Sequence, residues 1–207
     1  MRVKICGLTR KNDVEAALRA GADAIGFILA QSPRKVDLDT AKKLACCIPP
    51  FVSVVAVVKN PTIEFLDEVI KSKIFDMIQF HGQEDPNLIY DCPLKTIKAI
   101  PLKDKKDLKA ISRYAHVANF FLFDAKAGSI SGGTGKTFDW RIIKGLDTGK
   151  PFILAGGIGP ENIEEAIEFV NPHAIDVNSA VESSPGIKDE KKIYGLMEKL
   201  KNWEYKF

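Results

Sequence analysis

The sequence predicts an α/β fold, a single-domain (β/α)8 TIM barrel that spans residues 1–207. Eight short apolar runs alternate with eight amphipathic stretches along the 207 residues, and strands that alternate with helices form parallel sheets. The run Val54–Val58 is apolar at every position, which is typical of strands covered by helices on both faces. Eight repeats of about 26 residues predict a closed barrel at the small end of its size range. An open, doubly wound sheet of eight strands is the main alternative.

The strands are predicted from β-branched or apolar runs, and the helices from apolar residues at helical spacing. Helix starts are indicated by Asp39, by Pro61 after Asn60 and by Pro160 after Gly159. No linker rich in Pro, Gly or Ser divides the chain, so one domain is expected. In chain order the predicted strands are Val3–Cys6, Ala24–Leu29, Val52–Val58, Met77–Phe80, Thr96–Ala99, Phe120–Asp124, Pro151–Ala155 and Ala174–Asn178, and the predicted helices lie near 10–20, 39–47, 61–72, 85–91, 104–114, 138–145, 160–170 and 188–202.

Composition excludes several classes of function. The chain is 45% hydrophobic and carries a net charge of only +3, so neither disorder, nucleic acid nor an anionic membrane is expected. Its amino-terminal residues lack the continuous apolar stretch of a secretory signal. The four cysteines, Cys6, Cys46, Cys47 and Cys92, form no C-x-x-C pair and predict a reduced, cytoplasmic protein. Either a monomer or a homodimer is compatible with the sequence.

The active site of such a barrel lies at the carboxyl ends of its strands. Cys6 closes the first strand and Asp124 the sixth. Cys6 is either a small buried apolar residue or a thiol that faces the barrel mouth and takes up a proton. Asp124 is either a helix cap or an acid, and capping explains little because the next helix is predicted only near residue 138. Partial burial favours its protonated form, which can donate a proton.

Two loops predict a phosphate site. Gly156 and Gly157 follow the seventh strand, and Ser179 and Ala180 follow the eighth. The loops after these two strands form a recurrent phosphate site in this fold, where backbone N–H groups and a helix dipole face the anion. Tight turns explain one glycine readily but two adjacent glycines less well.

A second glycine-rich stretch, Ser131–Thr137, is not a nucleotide-binding P-loop. That motif needs a glycine five residues before Gly135, and Ile130 stands there. A dinucleotide fingerprint fails as well, because its sixth position, counted from Gly157, is Asn162. The stretch belongs to a loop of about 13 residues after the sixth strand, a length typical of functional loops such as a substrate lid.

Two further residues at the barrel mouth bear on binding. Arg34 follows the second strand, and its planar fork could bind a carboxylate with two hydrogen bonds. His81 follows the fourth strand and is a base, a ligand donor or a hydrogen-bonded structural residue. The three histidines, His81, His116 and His173, are isolated from one another in the sequence, so no metal site is predicted.

Several of these motifs together resemble one known family. Singly they are weak, but seven of them in order are specific. The chain closely resembles the phosphoribosylanthranilate isomerase family of tryptophan biosynthesis through Lys4-Ile5-Cys6-Gly7-Leu8-Thr9, Gly26-Phe27 with Ser32-Pro33-Arg34, Gln79-Phe80-His81-Gly82, Asp124 with Gly132-Gly133-Thr134-Gly135, Leu154-Ala155-Gly156-Gly157-Ile158, Asp176-Val177-Asn178-Ser179 and Pro185-Gly186-Ile187-Lys188-Asp189.

The resemblance implies an Amadori rearrangement of a small-molecule substrate without a cofactor. By this similarity Cys6 is the general base and Asp124 the general acid, and Arg34 holds the anthranilate carboxylate. The loops at Gly156, Gly157, Ser179 and Ala180 hold the phosphate, and His81 and Asp176 line the site. The chain departs from the family pattern at Ile28-Leu29-Ala30, where more aromatic residues are common, and at Ala180, where a glycine is usual. If its φ were positive, alanine would cost about 1 kcal/mol or more.

Three alternatives remain open from the sequence. The histidine-pathway isomerase performs the same rearrangement on a similar barrel, but it typically uses two aspartates and binds two phosphates. A phosphate-binding aldolase or epimerase is the second alternative. An aldolase of the Schiff-base type needs a lysine deep in the barrel, for which Lys59 and Lys98 are candidates. A barrel that serves only as a binding or scaffold protein would leave the acid, the thiol and the phosphate loops without a task.

Overall fold

Eight parallel strands close on one another in chain order. The computed structural model describes residues 1–125 and 140–204, and within them each strand pairs with its neighbours in sequence, β1 also pairing with β8. The predicted closed barrel is therefore confirmed, and the open doubly wound sheet is excluded. The strands are β1 (Arg2–Cys6), β2 (Ala24–Ile28), β3 (Ser53–Val58), β4 (Met77–Phe80), β5 (Lys95–Leu102), β6 (Phe120–Ala125), β7 (Phe152–Ala155) and β8 (Ala174–Val177).

The helices surround this barrel. Local capping explains where two of them begin: the Asp37 side chain accepts from the Thr40 N–H, and the Thr62 side chain accepts from the Phe65 N–H. The predicted start at Asp39 was thus two residues late. The described helices are α1 (Lys11–Ala20), α2 (Leu38–Ala45), α3 (Ile63–Lys71), α4 (Pro86–Tyr90), α5 (Lys109–Tyr114), α6 (Ile163–Val170) and α7 (Glu190–Glu204), with short 3₁₀ helices at Lys105–Leu108, Trp140–Ile142 and Ser179–Val181.

The helix predicted near 138–145 was wrong for its described part. From residue 140 onward the chain forms only the 3₁₀ helix Trp140–Ile142. Gly145 and Gly149 both have positive φ, at 68° and 64°, which ends helical geometry before β7 begins. The glycine-rich stretch Ser131–Thr137, and with it the predicted lid, lies outside the described residues.

A small hairpin that the sequence did not predict follows β8. Strands β9 (Glu182–Ser184) and β10 (Ile187–Lys188) pair antiparallel, and Gly186 in the turn between them has a φ of 82°. The last helix was predicted from residue 188, but Lys188 belongs to this hairpin. The hairpin returns the chain towards the barrel mouth and places Glu182 and Lys188 there.

Packing separates two kinds of interior. Most of the apolar core lies between the strands and the surrounding helices, where Phe27, Phe80 and Phe121 are fully buried. Side chains alternate along a strand, so Lys4 and Cys6 share the other side of β1. Cys6 packs in a small separate cluster with Ile28 and Val57 near the carboxyl ends of the strands. Across residues 1–125 and 140–204, no helix combines the length and apolar character needed to cross a membrane.

Candidate active site

A cavity of about 360 Å³ opens at the carboxyl ends of the barrel strands. Cys6 at the end of β1, His81 after β4 and Asp124 in β6 all line it. The two predicted phosphate loops contribute Gly156, Gly157, Ser179 and Ala180, and Asp176 of β8 also lines the cavity. Of the predicted site residues only Arg34 does not line this cavity. The structure therefore brings together, at the expected end of the barrel, residues up to 174 positions apart in the sequence.

A larger pocket, of about 540 Å³, opens at the opposite end. Its walls come from the amino ends of the strands and are mostly apolar. Its acid, Asp23, is already hydrogen-bonded to Arg2 and to the Val3 N–H. Active sites of this fold lie at the carboxyl ends, so the smaller cavity is the candidate site.

Cys6 is buried, with 4% of its surface exposed. Gly26 on the neighbouring strand makes room for it, because a Cβ there would lie 2.8 Å from both the Cys6 Sγ and the Lys4 Cε. Burial raises the pKa of Cys6, while the positive charges of Lys4 and Lys188 pull that pKa down. The thiol is therefore the main form at neutral pH, and the thiolate, when it forms, has two ammonium groups as counter-charges.

Asp124 is held by His81. The imidazole Nε2 lies 3.1 Å from Asp124 Oδ2, and its Nδ1 lies 3.3 Å from the side-chain nitrogen of Gln79. The Asp124 side chain is 25% exposed, so it is open to the cavity. Its geometry fits the prediction of an acid at the cavity wall.

Arg34 forms a two-bond ion pair with Glu182. Arg34 Nε and Nη2 donate to the two carboxylate oxygens at 2.8 and 2.6 Å, and Lys188 Nζ donates to Glu182 Oε1 at 3.0 Å. Burial works to raise the pKa of Glu182, but the hydrogen bonds from Arg34 and Lys188 outweigh it and hold that pKa below its usual value. The Arg34 Nη1 group is not engaged by Glu182, which leaves one edge of the guanidinium for another carboxylate.

The glycine loop has the geometry expected of it. Gly156 and Gly157 have φ values of 84° and 71°, which side chains rarely adopt. Asn162 ties the loop together, since its side chain accepts from the Gly159 N–H at 2.9 Å and donates to the Gly157 carbonyl at 3.0 Å. This fixes the loop against the start of α6.

Ala180 causes no backbone strain. It lies in the 3₁₀ helix Ser179–Val181 and is absent from the residues with positive φ. The penalty that a positive φ would impose on alanine therefore does not arise. A Cβ on Gly159 would lie 2.6 Å from the Ala180 Cβ, so the loops after β7 and β8 are packed closely at this point.

Two candidate functional residues, Lys4 and Gln79, were not predicted as site residues from the sequence. Lys4 Nζ donates to Gln79 Oε1 at 2.6 Å and to Asp176 Oδ2 at 3.0 Å, and all three side chains are buried. Burial works to lower the pKa of Lys4, but the negative charges of Asp176 and Cys6 outweigh it and raise that pKa. Asp176 Oδ1 has no hydrogen-bond partner within the described residues. A charged residue inside the apolar run of β1 was the signal that could have revealed Lys4.

The two lysines considered for a Schiff base do not serve this cavity. Lys98 Nζ is bound to Glu84 Oε2 at 2.9 Å and to the carbonyl oxygens of Phe80 and Gly82 at 3.2 and 2.7 Å. Lys59 is exposed, and neither lysine lines the cavity. The arrangement argues against the aldolase. In the described part of the chain no three His, Cys, Asp or Glu residues come close enough to bind a metal ion together.

The closed barrel and this cavity define a (β/α)8-barrel enzyme. Residues 3–199 match the model of the N-(5'-phosphoribosyl)anthranilate isomerase family, and the chain belongs to this family. An N-(5'-phosphoribosyl)anthranilate isomerase of Petrotoga mobilis is 49% identical over 206 residues, covering 100% of both chains.

Solved structures give the same result. The crystal structure of phosphoribosyl anthranilate isomerase from Thermotoga maritima superimposes with a TM-score of 0.90 at 34% identity, covering 98% of this chain and 99% of the other. A phosphoribosyl anthranilate isomerase in complex with reduced 1-(o-carboxyphenylamino)-1-deoxyribulose 5-phosphate has a TM-score of 0.87 at 32% identity, with the same coverage. The resemblance that the sequence motifs indicated is confirmed at the level of family and fold.

Proposed function

We propose that this protein catalyses the Amadori rearrangement of N-(5-phosphoribosyl)anthranilate to 1-(2-carboxyphenylamino)-1-deoxyribulose 5-phosphate in tryptophan biosynthesis. The observation that carries the proposal is the meeting of Cys6, Asp124 and the Gly156–Gly157 loop around one cavity in a member of this isomerase family. A thiol, a carboxyl group and a phosphate loop are the groups that this reaction needs.

Ring opening is the first step. Asp124, protonated, donates its proton to the furanose ring oxygen while the bond between that oxygen and C1' breaks. The anthranilate nitrogen supplies the electron pair, so the product is an iminium ion and an open-chain hydroxyl group. The substrate's own nitrogen acts as the electron sink, which is why the proposed reaction uses neither a metal nor a cofactor.

Proton removal from C2' is the second step. The iminium group makes this proton acidic, and the Cys6 thiolate accepts it, giving an enolamine that tautomerises to the ketone. Lys4 and Lys188 lower the pKa of Cys6 against the effect of burial, so they favour the form that acts as a base. Each acid–base step contributes about 10²–10⁴-fold, and positioning by the two anionic ends of the substrate supplies much of the remainder.

Binding roles follow from the same geometry. The phosphate is assigned to the loops at Gly156–Gly157 and Ser179–Ala180, and the anthranilate carboxylate to the free edge of Arg34. His81 and Asp176 border the sugar. Asp176 Oδ1, which is buried without a partner in the described chain, is suited to accept a hydrogen bond from a substrate hydroxyl.

The assay uses anthranilate fluorescence on freshly prepared substrate. Cys6→Ser and Asp124→Asn are each expected to lower turnover by about 10²–10⁴-fold. Cys92→Ser and Asp91→Asn make the same chemical changes at residues that do not line the cavity, and they should keep wild-type turnover. If either site variant stays within tenfold of wild type, its assigned role is wrong. Turnover with the histidine-pathway substrate in parallel decides between the two isomerases.

The remaining parts of the proposal concern organisation. We assign residues 1–207 to one catalytic domain that acts on a small molecule and requires no cofactor. All four cysteines are free thiols, which supports the cytoplasmic location predicted from the sequence. Monomer or homodimer stays a prediction, and sedimentation velocity measures it directly.

A further inference from the structure

A chain of hydrogen bonds crosses the barrel from β1 to β6. Lys4 Nζ lies 2.6 Å from Gln79 Oε1, the Gln79 nitrogen lies 3.3 Å from His81 Nδ1, and His81 Nε2 lies 3.1 Å from Asp124 Oδ2. Lys4 and Gln79 are 5% and 1% exposed. The Lys4–Gln79 end of this hydrogen-bond series is therefore closed to water, and the other end of the series is the proposed acid, Asp124.

Lys4, at the buried end of this series, determines the donor and the acceptor of every hydrogen bond in it. An ammonium group only donates, so the oxygen of the Gln79 amide faces Lys4 and the NH₂ group faces His81. An NH₂ group also only donates, so His81 Nδ1 must be the acceptor and carry no proton. The neutral imidazole then has its proton on Nε2 and donates it to Asp124 Oδ2.

We propose that Gln79 is a positioning residue for the isomerisation: it holds His81 as the neutral Nε2–H tautomer, and His81 thereby determines which oxygen of Asp124 delivers the proton. With Oδ2 accepting from His81, the acidic proton resides on Oδ1. That oxygen is the one left for the ring oxygen of the substrate. The inference rests on the proposed function, since it assigns a role within the same reaction.

Charge gives a second reason for this arrangement. A doubly protonated His81 would be a cation next to Asp124, and an adjacent cation favours the carboxylate over the acid. Protonating Nδ1 would also set its N–H against the NH₂ group of Gln79. The hydrogen bond from the Gln79 NH₂ group is therefore compatible only with an Nδ1 that carries no proton.

The backbone on both sides of His81 is fixed independently. Lys98 Nζ binds the carbonyl oxygens of Phe80 and Gly82 at 3.2 and 2.7 Å, and the Glu84 carboxylate accepts from the Gly82 N–H at 2.7 Å. The backbone that carries the ring is thus fixed without Gln79. What remains for Gln79 to determine is the protonation pattern of the ring.

The test reads the tautomer directly by ¹⁵N NMR of the histidine side chains in the intact protein. Only three histidines are present, and His81→Asn assigns the His81 signals by their loss. His173 Nδ1 accepts from the Phe152 N–H at 3.2 Å, so it provides an internal reference for the Nε2–H tautomer. Wild-type His81 is expected to show the same pattern, and a protonated Nδ1 in the wild type would overturn the proposal without any variant.

Gln79→Glu is the decisive substitution. A carboxylate only accepts, so it draws a proton onto Nδ1 of His81, and the ¹⁵N pattern should change to a protonated Nδ1. We expect kcat to fall at least tenfold, within the roughly 10²–10⁴-fold that an acid supplies, with KM changed less than threefold. Gln83→Glu makes the same change at an exposed position of the loop that carries His81 and should alter neither readout.

Each remaining outcome is informative. A changed tautomer with kcat within twofold of wild type would refute the positioning role, and so would an unchanged tautomer in Gln79→Glu. If that variant does not fold, Gln79→Met, which has no donor and only a weakly accepting sulfur, should give a mixture of tautomers and a lower kcat. Failure of the proposed function is distinct: the wild type would then not turn over the substrate, while the NMR pattern would still be measured.

Discussion

The ion pair between Arg34 and Glu182 offers the sharpest energetic test of the site. Replacing Glu182 with glutamine keeps the size of the side chain but removes the negative charge that lies between Arg34 and Lys188. One carboxylate oxygen becomes an NH₂ group that faces a cation. Glu182 also accepts from the Gly186 N–H at 3.2 Å, so the substitution disturbs the turn of the β9–β10 hairpin as well.

The expected size of the effect follows from burial. The side chains of Arg34, Glu182 and Lys188 are 19%, 5% and 1% exposed, so solvent screens their charges little. Removing one partner from a buried pair leaves an uncompensated charge and costs about 3–5 kcal/mol. Glu182→Gln should therefore lower the free energy of unfolding by about that amount. Because Arg34 also loses the group that orients it, KM should rise about tenfold, equivalent to about 1.4 kcal/mol.

Urea denaturation and steady-state kinetics measure the two effects. Glu190→Gln is the matched control, because Glu190 pairs with Arg19 at 3.0 Å but both side chains are 54% exposed. Exposed pairs contribute about 0–1 kcal/mol, so this control should lose little stability and no activity. If Glu182→Gln loses less than about 1 kcal/mol and keeps its KM, the pair neither stabilises the site nor orients Arg34.

Three further predictions concern the same cavity and its support. Arg34→Lys should raise KM about 10–100-fold at nearly constant kcat, because a lysine cannot present a second planar edge to the carboxylate; an unchanged KM would remove Arg34 from substrate binding. Ala180→Gly should leave KM within twofold, since the backbone N–H is retained, yet reduce the free energy of unfolding by about 0.5–1 kcal/mol in urea titrations. Acid should destabilise the protein. Burial works to raise the pKa values of Glu84 and Glu182, but hydrogen bonds and ion pairs with cations outweigh burial and hold both pKa values below the ordinary value of 4.5. The unfolded chain takes up protons first as the pH falls below 4.5, so stability is lost in that range, and a free energy of unfolding that stays flat there would contradict the assignment.

Much of the architecture could be predicted from local sequence. The alternation of apolar runs and amphipathic stretches predicted all eight barrel strands in order, because periodicity reports which faces of an element are buried. The helix predictions failed in two segments, where glycines with positive φ or a short loop determined the backbone conformation. The segment expected as a helix near 138–145 forms only the 3₁₀ helix Trp140–Ile142 in its described part, and Gly186, with a φ of 82°, turns residues 182–188 into a hairpin where the last helix was expected to start.

The site could be predicted only in part. Cys6, Asp124 and the glycine loop stand at the ends of strands, and the fold class alone places such positions at one mouth of the barrel. Lys4 and Gln79 stand inside strands, and nothing in their neighbours along the chain shows that they are hydrogen-bonded to each other. Their contact exists only because the barrel is closed and its interior excludes water.

The sequence by itself determined the repeat, the order of the strands and which residues end them, since these depend on interactions between near neighbours in the chain. Tertiary structure alone decided the charge pairing. Lys4 meets Asp176 across 172 positions, and Arg34 meets Glu182 across 148. A buried charge is stable only beside a partner. The pairing of β8 with β1 brings Asp176 to Lys4, and the β9–β10 hairpin brings Glu182 to Arg34. No local sequence pattern encodes either contact.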